Sequence, residues 1–124
     1  MADQIYLYLG SVFTLIWGIA HLFPTRAVVN NFGGITGDNR QIITMEWIIE
    51  GVFLIFLGVL VAGVTYIDHS SLVSRYIYLS SGVVLIVLAV ISLFTGFKVN
   101  FLPYRLCPFI FSLSAILIFI GALL

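Results

Sequence analysis

The run Thr44-Met45-Glu46-Trp47-Ile48-Ile49-Glu50-Gly51 puts two carboxylates one helical turn apart, near the start of a long apolar stretch. A carboxylate in hydrocarbon is expensive, and is usually paired or functional. Held as the neutral acid, it can give a proton to a cargo or to a reacting atom. His21, on the preceding apolar run, is the natural acceptor, because imidazole titrates near neutral pH. Glu50, Glu46 and His21 are therefore the candidate acid and base groups. A ligand-binding set adds Trp47, Phe32 and Ser92. Trp47 shares the helix face of the carboxylates, and Phe32 is an apolar residue in a glycine-rich loop. Ser92 holds the place of His21 in a weak internal repeat.

Each residue also has a plainer role. Glu46 could snorkel to the membrane surface and meet Arg26, Arg40 or Arg105. His21 could be a packing histidine bonded across helices. Trp47 could be a packing or boundary residue. His21 and the two glutamates offer metal ligands, but no Glu-x-x-His pair of the di-metal bundles is present, and no metal or cofactor is expected. Ser92, Ser112 and Ser114 have no second histidine within the membrane to act as their base.

The elements that position these groups follow from composition. The chain has 124 residues, 62% hydrophobic and 8% charged, against about 25% charged in a soluble domain. Its solvent is the lipid bilayer. Formal net charge is zero, which gives no reason to expect a nucleic-acid partner. The single Cys107 excludes an internal disulfide. Four runs approach the roughly 20 apolar residues a spanning helix needs: Ile5–Phe23, Ile42–Tyr66, Arg75–Phe97 and Cys107–Leu124. The fold class is all-α, an integral-membrane four-helix bundle over residues 1–124. The start Met1-Ala2-Asp3-Gln4 lacks a basic n-region, so the first run is expected to be a retained helix.

Small residues recur along each run: Gly10, Thr14 and Gly18, then Gly51, Gly58 and Ala62, then Gly82, Ala89 and Gly96. Such stripes let helix backbones approach closely in lipid, within the chain or in a homo-oligomer. Glu50 lies about 100° of helix rotation from Gly51, and Glu46 about 40° further. Both should flank the packing stripe. With Pro24 and Gln41 as the membrane boundary, His21 is about 4–5 Å deep, Glu46 about 7 Å and Glu50 about 13 Å.

The connection 24–41 is long for a bundle, and its Phe32-Gly33-Gly34 suits a lid over the mouth. Asp38 with Gln41 reads as a capping-box variant starting the second helix near Asn39. Pro108 suits the first turn of the last helix. Asp68 and His69 read as a solvated turn. His21-Leu22-Phe23 with Val29-Asn30-Asn31-Phe32 echoes Ser92-Leu93-Phe94 with Val99-Asn100-Phe101, a pattern of two weakly repeated helix hairpins. Arg26, Arg40, Lys98 and Arg105 fall on one side, and Arg75 on the other. The basic side should be cytoplasmic, with loops 24–41 and 98–106 inside and both termini outside.

Three function classes fit. One is a binding or transport protein, homodimeric, coupling a proton to a lipophilic or small cationic ligand. Another is an isomerase-like acid/base enzyme on a lipid or isoprenoid substrate. The third is an accessory subunit of a membrane complex. A cavity and its openings would separate them.

Overall fold

A computed structural model describes residues 1–124 as five α-helices and no strand. Helix α1 covers Ala2–Leu22, α2 Thr25–Asn30, α3 Gly37–Asp68, α4 Leu72–Phe94 and α5 Leu102–Leu123, with a 3₁₀ turn at Gly96–Lys98 between the last two. The four long helices are each long and apolar enough to cross a membrane. The protein is an all-α four-helix bundle, and its outward faces are apolar, as lipid contact requires.

The helix ends have local causes. Pro24 follows the end of α1, and the Thr25 hydroxyl donates to the Leu22 carbonyl at 2.6 Å. Helix α3 starts two residues before the expected Asn39. Its cap is Thr36, whose hydroxyl accepts from the Asn39 N–H at 3.2 Å, rather than Asp38 with Gln41. Ser71 caps α4 in the same way through the Ser74 N–H. Helix α5 starts five residues earlier than expected, so Pro103 occupies its first turn and Pro108 lies inside it. Proline has no N–H to give, so the Tyr104 carbonyl loses its helical partner there.

Helix α1 is the hub, packed along both α3 and α5, and α5 packs in turn on α4. Consecutive α3 and α4 meet only sparingly. A repeat of two hairpins would make the α1–α5 and α3–α4 interfaces equivalent; here the first is closed and the second is open. Close approach explains the closed ones. A Cβ on Gly18 would meet the Gly51 carbonyl at 2.9 Å and the Ile55 nitrogen at 2.8 Å; one on Gly58 would meet the Ser11 carbonyl at 2.8 Å. The small-residue stripes are thus occupied within one chain, and lend no weight to a homodimer.

The half of the bundle near the termini is solid, around Leu7, Leu54, Leu57, Val61, Tyr78, Leu85 and Ile118. Two of its buried hydroxyls return to their own helices, Thr14 to the Gly10 carbonyl and Thr65 to that of Val61. At that end His69 is not merely solvated: Gln4 reaches its ring at 3.0 Å, and its Nε2 lies 3.4 Å from Asp3. The turn between α3 and α4 is thereby tied to the start of α1.

Two expectations follow. Gly58→Val should destabilise the purified protein by about 1–3 kcal/mol through overpacking against backbone. Gly63→Ala, where nothing lies within 4 Å, should leave thermal stability unchanged or slightly raised. For orientation, Cys107 is buried and is a poor reporter. On a Cys107→Ser background, Ser70→Cys should label with an impermeant thiol reagent in intact cells. Asn39→Cys should label only after permeabilisation, and the reverse pattern would invert the topology.

Candidate functional site

At the basic end the helices part around a cavity of about 1010 Å³. Its walls come from α1 (Trp17, Ala20, His21), α3 (Trp47, Glu50), α4 (Leu88, Ile91, Ser92) and α5 (Tyr104, Cys107, Phe111), with loop residues at the mouth. Most of the lining is apolar. The core cluster meets the cavity at Cys107 and Phe111, with Trp17 and Leu88 packed against it. Leu7, Leu54, Leu57, Val61, Tyr78, Leu85 and Ile118 line no part of it, so the cavity opens at one end of the bundle and ends against packed side chains.

His21 is fixed from one side. Its ring stacks on Trp47 with centroids 3.9 Å apart and planes 17° apart. The Trp47 indole N–H also donates to the His21 backbone carbonyl at 2.8 Å, one of the α1 carbonyls that has no partner further along the helix. Tyr104 closes the other flank of Trp47, edge-on at 5.5 Å. So held, His21 presents Nε2 to Glu50 Oε2 at 3.5 Å, and that nitrogen is buried without a hydrogen-bond partner. The Glu50 side chain is 42% exposed, on the cavity side of α3. Pairing at this distance is loose, and both groups remain available to a third.

The structure brings His21, Trp47, Glu50, Phe32 and Ser92 to one cavity. Phe32 stands at the mouth, about half exposed. The Ser92 hydroxyl is spent on the Ala89 carbonyl of its own helix at 3.0 Å, so Ser92 contributes wall, not a free donor. Glu46 is not brought in. It is exposed, lies outside the cavity lining, and pairs with none of Arg26, Arg40 or Arg105. Arg40 instead donates to Asn30 at 2.8 Å, and the Arg105 guanidinium lies over the Phe97 ring.

The cause is a shift of level. Taking Gln41 as the boundary puts Glu50 about two and a half turns deep. In the structure Trp47 is level with His21, one residue from the end of α1. The first ten residues of α3 therefore run beyond the end of α1, beside the short α2, with Glu46 among them. Glu50 is about 5 Å inside the end of α1, a single turn.

Trp17 was not singled out from the sequence. It lines the cavity, and its indole N–H is buried with no hydrogen-bond partner. The signal was present: Trp17 precedes His21 by four residues and so shares its face. Tyr104 was missed because the last helix was expected to start after it.

Trp47→Phe keeps an aromatic face on His21 but removes the donor to its carbonyl. It should cost about 1 kcal/mol of stability, read as a lowered Tm in detergent, and should loosen His21.

No family model, curated protein or solved structure matches this chain.

Proposed function

We propose that this chain is a membrane-embedded binding protein for a lipophilic ligand, with the Glu50–His21 pair receiving the ligand's polar end and exchanging a proton with it. One observation carries the reading: a largely apolar cavity of about 1010 Å³ with two loosely paired titratable groups on its wall. Ligand pockets of about 300–1,000 Å³, mostly apolar with a few convergent polar groups, are the usual form of such sites. The sparse α3–α4 contact supports a lateral route from the bilayer, since Trp47 and Glu50 stand on one side of that gap and Leu88, Ile91 and Ser92 on the other. The mouth is cytoplasmic in the orientation expected from Arg26, Arg40, Lys98 and Arg105.

A second reading, an acid/base enzyme on a lipid or isoprenoid substrate, draws on the same pair. A carboxyl and an imidazole facing one another across 3.5 Å can act as acid and base on a molecule lodged beside them. The blind end of the cavity favours binding or catalysis over passage through the bundle. The accessory-subunit reading has no comparable support, because a wall-to-wall bundle would serve it better than an open one.

Both tryptophans of the chain, Trp17 and Trp47, line the cavity, so intrinsic fluorescence reports occupancy without a label. An ω-bromo long-chain alcohol should quench it saturably in nanodiscs, and Ser92→Phe, which fills the cavity, should abolish the saturable part. Glu50→Gln should fold with an unchanged Tm and still bind, but lose the pH dependence of binding. Equal quenching in wild type and Ser92→Phe would dismiss the cavity as a ligand site.

A further inference from the structure

The buried hydrogen-bonding groups left without a partner beside the cavity specify the ligand's head, given the binding reading above. Four buried side-chain polar atoms in the protein have no hydrogen-bond partner: Trp17 Nε1, His21 Nε2, Tyr78 Oη and Ser114 Oγ. Tyr78 and Ser114 lie in the solid half. Trp17 and His21 line the cavity, one helical turn apart on the same face of α1. Leaving such groups unmatched is costly, so a ligand that answers them gains more than its apolar burial alone.

Their chemistries differ. An indole N–H can only donate, so Trp17 demands an acceptor. The Cys107 sulfur, a weak acceptor, lies near enough to compete for that N–H, but the pair falls short of hydrogen-bond geometry; the thiol itself donates to the Pro103 carbonyl at 3.4 Å. His21 Nε2 takes either role, depending on which ring nitrogen carries the proton. Glu50 accepts when ionised. No lysine or arginine lines the cavity. An anionic head would meet Glu50 with no cation to offset it. An ammonium head would satisfy Glu50 but offer nothing to Trp17. A hydroxyl accepts from Trp17 and donates to Glu50 or His21.

We infer that the site selects a lipophilic alcohol: an apolar body whose uncharged hydroxyl head lodges between the Trp17 indole N–H and the Glu50–His21 pair.

The test is a set of ω-bromoundecyl probes sharing one chain and differing only in the head: alcohol, methyl ether, primary amine, carboxylate and the headless bromoalkane. Saturable quenching of Trp17 and Trp47 in nanodiscs is compared with that in Ser92→Phe. The alcohol should bind about tenfold tighter than the headless chain, the worth of one or two net hydrogen bonds. The ether, which accepts but cannot donate, should fall between them, and the carboxylate should be weakest. In Trp17→Phe, read through Trp47, the advantage of alcohol and ether over the headless chain should shrink several-fold, with the amine unaffected. The probe series needs no substitution within the α1 contact, so it decides the matter even if Trp17→Phe fails to fold. An amine or carboxylate binding as tightly as the alcohol would overturn the head assignment while leaving the cavity reading intact. If no probe quenches in a manner sensitive to Ser92→Phe, the cavity reading fails and the head assignment with it.

Discussion

Backbone-to-backbone contact between α1 and its two neighbours is the constraint on which the remaining architecture depends. Gly18 and Gly51 let α1 and α3 touch at the level of Leu54 and Ile55; Gly10 and Gly121 do the same for α1 and α5 at Ile118 and Leu7. In lipid no hydrophobic force drives helices together, so such van der Waals contact must hold the bundle. A helix gripped this closely on two sides fixes the spacing of the other two. Helix α4 packs on α5, so α3 and α4 are held apart at the basic end, and the cavity is the space that results. The tight contacts and the open space are two outcomes of one arrangement.

The polar groups occupy that space in a definite order. Trp47 holds His21 by ring and by backbone, which leaves the imidazole little freedom to turn. A histidine serving only to pack would be expected to end in a completed hydrogen bond. Here the held ring ends in a free nitrogen beside a half-exposed carboxylate. In the solid half the Thr14 and Thr65 hydroxyls are closed onto their own helix carbonyls. The contrast marks the cavity wall as the place where polar capacity is kept unspent, except for Tyr78 and Ser114, for which the packing offers no account.

Fold class was legible because it rests on bulk quantities. Four long apolar runs in a chain with few charges admit one architecture in lipid, and the small-residue stripes named the contact faces correctly at Gly10, Gly18, Gly51 and Gly58. The members of the site were legible in type but not in level. His21, Trp47 and Glu50 meet because a helix face is a matter of spacing, which sequence carries. Glu46 was placed beside them because depth was counted from Gln41. How far α3 overhangs α1 is set by tertiary packing, through the Trp47–His21 contact, and no local pattern encodes it. The early start of α5 escaped for a similar reason: Leu102-Pro103-Tyr104-Arg105 looks like a linker, yet proline in a first turn is a helix start.

The overhang has a consequence for how the site meets the membrane. Glu50 at mid-bilayer would carry a desolvation cost of several kcal/mol with only His21 to offset it. Glu50 lies one turn inside the end of α1, near the open end of the bundle, with its side chain 42% exposed. The apolar depth of the cavity then runs inward from the pair, past Trp17 towards Leu88 and Phe111. Polar groups near the boundary and apolar walls beyond them match the orientation an amphiphile already holds in the bilayer. A molecule sliding in between α3 and α4 would keep its head at the level of His21 and its body along α4. Such a molecule need not invert or cross the bundle to occupy the site, and the solid half beyond Phe111 requires no opening for it to do so.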